Sequence, residues 1–130
     1  MADKIGKKVL IIDDEPDVVT YLKTFLEDNG FDTVTAENGK QGMAKMKSEK
    51  PDIVTLDISM PEETGVKFFR KAQEDPEISN IPVIIITGVT MEFKKFISSR
   101  KQVEPPLAYF EKPIDREKLL DKVKEILKLS

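Results

Sequence analysis

Val9-Leu10-Ile11-Ile12-Asp13-Asp14-Glu15-Pro16 is the stretch from which the fold can be read. An unbroken aliphatic run of this length suits a strand covered on both faces, because a strand with one wet face would alternate apolar and polar residues. The run stops abruptly on three acids and a proline. Proline is tolerated in a first helical turn, where its missing N–H would have had no intrahelical acceptor. The segment beyond it places Val18, Leu22, Phe25 and Leu26 at helical spacing and halts at Asn29-Gly30. The stretch therefore predicts a buried strand, an acidic turn and an amphipathic helix from Pro16 to Asn29.

The same alternation recurs to the end of the chain. Thr33-Val34-Thr35 predicts a second, more polar strand suited to a sheet edge. A helix from Lys40 to Glu49 carries Met43 and Met46 among its apolar residues and is ended by Pro51. Ile53-Val54-Thr55-Leu56 predicts the third strand, and the helix after it runs from Gly65 to Asp75. Pro82 to Thr87 is the fourth and most apolar strand. A helix over 91–101 follows, with Phe93, Phe96 and Ile97 on one face, then a short fifth strand at Ala108-Tyr109-Phe110. Asp115 can cap a last helix whose stripe is Leu119, Leu120, Val123, Ile126 and Leu127. Strands alternating with helices in this way imply an α/β fold, an open parallel sheet with helices on both faces. No repeat, low-complexity stretch or linker interrupts the pattern.

Composition narrows the chemistry. The chain has 130 residues, a typical length for one domain, and a net charge of only −3, which favours neither nucleic acid nor an anionic membrane as a partner. It contains no cysteine and no histidine, so a disulfide framework, a thiolate metal site and histidine base chemistry are excluded. A metal would be held by oxygen, which points to magnesium, manganese or calcium. Met1 to Lys8 leads into no signal-peptide core, and apolar runs such as Val83 to Ile86 are too short to span a bilayer. A cytoplasmic location is expected.

In a sheet of this kind, ligands bind beyond the carboxyl ends of the strands. Four strand ends supply a coherent set of residues: Asp13-Asp14 after the first, Asp57 after the third, Thr87 after the fourth, and Lys112-Pro113 after the fifth. Three carboxylates in one cleft stay ionised together only if a cation offsets them. Magnesium does so through oxygen ligands while retaining positions for water and phosphate. Lys112 would add a positive charge, Thr87 a hydroxyl, and Gly88 room for close approach to the backbone. Asp57, at the end of a central strand and before the irregular Ile58-Ser59-Met60-Pro61, is the best nucleophile in the set. Taken singly, each residue has a plainer reading. Asp13-Asp14 could cap a helix, Asp57 and Thr87-Gly88 could be turn residues, and Lys112 could be a solvated charge. Their occurrence in order at four strand ends favours a site.

These motifs resemble the response-regulator receiver family of two-component signalling, to which a bacterial chemotaxis regulator belongs. The resemblance rests on Leu10-Ile11-Ile12-Asp13-Asp14-Glu15, Leu56-Asp57-Ile58-Ser59-Met60-Pro61 with Gly65 beyond, Ile86-Thr87-Gly88 and Glu111-Lys112-Pro113, and covers nearly the whole chain. It implies a flavodoxin-like, doubly wound five-stranded parallel sheet of order 2-1-3-4-5 with five helices. It also implies a single receiver domain over 1–130, with its core at about 7–128. Asp57 would accept a phosphoryl group from a histidine on a sensor kinase or phosphotransfer protein. Asp13 and Asp14 would bind Mg2+ together with Asp57 and the backbone carbonyl of Ser59. Thr87 and Lys112 would contact the phosphoryl group, and Lys112-Pro113 would contain a cis bond. Tyr109 would move inward as Thr87 shifts, reshaping the surface of helix four (91–101), strand five and helix five, which would signal to a downstream protein. Neither direct nucleic-acid binding nor a membrane is implied.

The chain departs from the commonest family pattern at Gly88, where alanine is frequent, and at Ser59 and Val89. Neither Ser59 nor Val89 is a carboxylate or amide able to hold an attacking water, so slow loss of the phosphoryl group is expected. The segment 101–107, with Pro105-Pro106, is slightly long. The competing expectation is an enzyme, a magnesium-dependent phosphohydrolase or phosphotransferase with an aspartyl-phosphate intermediate. Such enzymes usually place a second acid two residues after the nucleophile, and here that position is Ser59.

Overall fold

The computed structural model describes residues 5–57, 64–87, 108–111 and 114–129; at 64–67, 87, 108, 109 and 111 it describes the backbone alone. The elements are β1 (Lys8–Ile12), α1 (Pro16–Asp28), β2 (Asp32–Ala36), α2 (Gly39–Glu49), β3 (Ile53–Asp57), α3 (Thr64–Glu74), β4 (Val83–Thr87), β5 (Ala108–Glu111) and α4 (Arg116–Ile126). The helix expected over 91–101 lies outside the described residues, so α4 here is the chain's last helix.

All strand pairs are parallel, and the sheet order is β2-β1-β3-β4-β5. β1 and β3 are buried along nearly their whole length, whereas β2 begins exposed and stays half-buried until Ala36. This is the division expected from their composition: Val, Leu and Ile in the centre, threonine at the edge.

Because successive side chains on a strand point to opposite faces, each central strand feeds two cores. Leu10, Ile12, Val54, Leu56 and Ile85 pack on one face with Met46 of α2 and with Phe68, Phe69 and Ala72 of α3. Val9, Ile11, Ile53, Ile84 and Ile86 pack on the other with Leu22 and Leu26 of α1 and with Leu119, Leu120 and Val123 of α4. Fully burying one such side chain contributes about 1.5–3 kcal/mol. The two helical layers thus clamp the sheet and hold its strand ends in register.

Local signals set the helix ends. Pro16 occupies the first turn of α1, Asn29 is its C-cap, and Gly30 turns the chain back with φ 94°, a conformation open to glycine at little cost. Asn38 caps α2 by accepting the Gln41 N–H at 2.9 Å, and Asp115 caps α4 by accepting that of Lys118 at 3.3 Å. Gly42 lets α2 settle close to the sheet, since a Cβ there would lie 2.6 Å from Ile12 Cδ1 and 3.1 Å from Phe68 Cε2.

Candidate functional site

The strand order reverses direction between β1 and β3: the chain steps from β1 outward to β2, then returns to β3 on the other side. Crevices at such reversals, beyond the carboxyl ends of the strands, are where open α/β sheets bind ligands. Ile12 pairs with Leu56 across this boundary, so the next residues along the two strands, Asp13 and Asp57, emerge at the same level. On its other side Asp57 pairs with Ile86 of β4.

Asp13 and Asp57 are only 3% and 2% exposed, which is unusual for aspartate, whereas Asp14 and Glu15 are exposed. Carboxylate oxygens of Asp13, Asp14, Glu15 and Asp57, one from each, all lie within 4.8 Å of one another. Two unit charges at that separation repel by on the order of 3 kcal/mol at an effective dielectric near 20. A divalent cation would turn this repulsion into attraction. A set made solely of carboxylate oxygens suits a hard cation such as Mg2+ or Ca2+ rather than zinc or copper.

Capping does not account for the acidic turn. The N-cap of α1 is Glu15, and its side chain makes no capping hydrogen bond. Asp13 instead accepts the Glu15 N–H at 2.9 Å, while its own N–H donates to the Ala36 carbonyl of β2 at 3.1 Å. These bonds hold the Asp13 carboxylate at the rim between the central and edge strands. One member of the cluster had gone unmarked as a ligand candidate in the sequence. Glu15 follows Asp13-Asp14 directly, and the unbroken run of three acids was the available signal.

The remaining candidates are located to differing degrees. Thr87 is the last residue of β4, one position beyond the level of Asp57, and its Cα pairs with that of Glu111. Tyr109 lies in β5 opposite Ile85. For both, the backbone alone is described. Ser59, Gly88, Val89, Lys112 and Pro113 lie outside the described residues, as do Phe93, Phe96 and Ile97. Glu111 ends β5, so Lys112 follows directly on a strand end that borders β4. No helix among the described residues is long and apolar enough to cross a membrane.

Comparison with known proteins agrees with this geometry. A family profile described as the response regulator receiver domain matches residues 9–124. Protein PilH of Pseudomonas aeruginosa is 38% identical over 120 residues, an alignment covering 92% of this chain and 97% of that protein. The alkaline phosphatase synthesis transcriptional regulatory protein PhoP of Bacillus subtilis is 30% identical; the match takes in 97% of this chain but 50% of PhoP. Among solved structures, a CheY-like response regulator receiver domain protein from Methanospirillum hungatei superposes with a TM-score of 0.80 at 28% identity, covering 94% of each chain. The rim of acids at the sheet's reversal point and the match along nearly the whole chain lead to one conclusion: this chain belongs to the response regulator receiver domain family, the phosphoacceptor modules of two-component signalling.

Proposed function

We propose that Asp57 is the phosphoacceptor, and that the chain works as a single receiver domain whose phosphorylation by a sensor histidine kinase or phosphotransfer protein alters its contacts with a downstream protein. The observation that carries this reading is the position of Asp57: nearly fully buried at the carboxyl end of a central strand, level with Asp13, inside a cluster of acids. A carboxylate oxygen of Asp57 attacks phosphorus in line with the scissile P–N bond. The phosphoryl group passes to oxygen, and the imidazole nitrogen leaves with the bonding electrons.

Asp13 and Asp14, with Asp57 and the backbone carbonyl of Ser59, would hold Mg2+. When bound, the ion offsets the negative charge of the carboxylates and of the incoming phosphoryl oxygens. Within the chain, Asp13 is held in place by its bond from the Glu15 N–H, which keeps its carboxylate at the rim. Thr87 donates its hydroxyl to one phosphoryl oxygen, and Lys112 pairs with another as a compact point charge. Movement of Thr87 draws Tyr109 inward and carries the change to the surface of 91–101, β5 and α4. The domain would act in the cytoplasm, where kinase and donor are found, and without touching nucleic acid itself.

Family membership supports this regulatory reading over the phosphohydrolase one. The test is intact-mass analysis after incubation with acetyl phosphate and Mg2+. One added phosphoryl mass in the wild type and none in Asp57→Asn is the expected result; undiminished labelling of Asp57→Asn would overturn the assignment.

A further inference from the structure

The outer helices of the α2–α3 layer leave a groove between them of about 570 Å³. Its floor is formed by Met43, Ala44 and Phe68, and Lys40, Lys47 and Lys71 stand around it. The volume is within the range of about 300–1,000 Å³ common for specific binding sites. The three lysines are exposed. Lys47 is paired with Asp75 at 3.2 Å, whereas Lys40 and Lys71 enter no ion pair among the described residues.

Charge is distributed unevenly along the two helices that flank this groove. α2 carries Lys40, Lys45 and Lys47 against Glu49, and α3 carries Lys67, Arg70 and Lys71 against Glu74. Both helices are thus basic in a chain whose net charge is −3. A local excess of one sign against the overall balance raises the local concentration of ligands of the opposite sign. Ala44 is small and exposed, and Met43 is an unbranched side chain that repacks readily around different apolar shapes.

We propose that the α2–α3 groove docks an acidic amphipathic segment of a partner protein. Apolar side chains of the segment rest on Met43 and Ala44, with the buried Phe68 beneath them, and its carboxylates meet Lys40 and Lys71, in the manner of a helix laid into a groove. A nucleic-acid backbone would use the lysines but leave the apolar floor uncovered, and therefore fits less well. The groove is also remote in the sheet order from β5, which lies at the edge opposite β2, so it is a second contact surface separate from the one expected around 91–101, β5 and α4.

The experiment uses the full chain carrying Asp57→Asn, which makes the outcome independent of phosphorylation. The probe is a synthetic helical peptide of about 18 residues, roughly five turns, with leucine and phenylalanine along one face and glutamates flanking it. Controls are the same peptide with lysines for glutamates, and phosphatidylserine vesicles. Saturable binding is expected, with amide chemical-shift changes concentrated in 39–47 and 68–75 and with affinity falling as salt rises. Combining Lys40→Glu with Lys71→Glu should weaken binding by about tenfold or more, as expected for reversed charges at a contact. Ala44→Arg separates the groove from bare electrostatics: it adds positive charge but fills the floor, so it should weaken binding too, with helical circular dichroism confirming that each variant folds. Stronger binding by Ala44→Arg, equal binding of the lysine peptide, or shifts confined to other elements would overturn the proposal. Lysine-dependent binding of vesicles without the peptide, or self-association through this face, would overturn it as well, in favour of a lipid surface or a second copy.

Discussion

At the amino end of the sheet, Lys8 donates its backbone N–H to Asp52 at 2.8 Å and its ammonium to Glu49 at 3.0 Å; at the carboxyl end, Asp13, Asp14, Glu15 and Asp57 bring carboxylate oxygens within 4.8 Å of one another. The same two strands, β1 and β3, run between these regions. At one end each acid is met by a donor on the neighbouring element, so its charge is settled where it stands. The pair is partly exposed, and such pairs add little to stability. At the other end acid stands beside acid, and two of the four are buried. Four carboxylates gathered this closely form a place to which a divalent cation would be drawn. Acidic residues at strand ends are thus informative by what surrounds them rather than by their presence.

The comparison can be broken most decisively at Asp57. Asp57→Asn should remove phosphorylation by acetyl phosphate completely, whereas Asp52→Asn, at the amino end of the same strand, should leave it at the wild-type level. Intact-mass analysis reads both variants, and equal loss in the two would show that the ends of β3 do not differ in chemistry. The next effect is on the cation. Asp14→Ala should weaken Mg2+ binding by about tenfold or more, a cost of about 1.4 kcal/mol, measured by calorimetric titration. The increase in Tm that Mg2+ produces should shrink as well, since stabilisation by a ligand rises with the logarithm of its concentration relative to Kd. Unchanged affinity would remove Asp14 from the ligand set.

Midway between the two ends, Thr55 is 1% exposed and its hydroxyl has no hydrogen-bond partner among the described residues. Thr55→Val keeps the branched shape and removes a buried polar group, so it should stabilise the fold by about 1 kcal/mol in chemical denaturation. A loss of stability would instead indicate that the hydroxyl is satisfied in solution.

The smallest effect is expected at Glu49. The hydrogen bond from Lys8, and then the charge of Lys8, hold its carboxyl below the usual carboxylate range. A group lowered in the folded state contributes stability above its unfolded pKa and loses it as pH falls through its folded pKa. The Tm difference between wild type and Glu49→Gln should therefore be small at neutral pH and vanish in acid. A difference that grows with acidity would contradict the pairing with Lys8.

The arrangement of strands and helices was legible because it is periodic. Val9 to Ile12, Ile53 to Leu56 and Val83 to Ile86 read as covered strands, and the polar Thr33-Val34-Thr35 read as an edge; the sheet places them so, with boundaries within a residue or two. Asp57, Asp13 and Asp14 were legible as candidates because each follows such a run. Their gathering at one rim followed from reading the strands as parallel neighbours. Glu15 was legible only as the third acid of the run Asp13-Asp14-Glu15, and its nearness to Asp57, more than forty positions away along the chain, came from the fold.

Hydrophobic periodicity and turn chemistry are local, so the amino-acid sequence by itself determined the element order, the covered and edge strands, and the positions of the acids just past the strand ends. The neighbouring of β1 and β3 was already implied by the family resemblance; the tertiary structure supplied the register that levels Asp13 with Asp57. It alone decided that Met43, Ala44 and Phe68 share a groove. The physical reason is that register and distance between elements follow from packing two helical layers onto one sheet, a balance among residues far apart in sequence that no local pattern encodes.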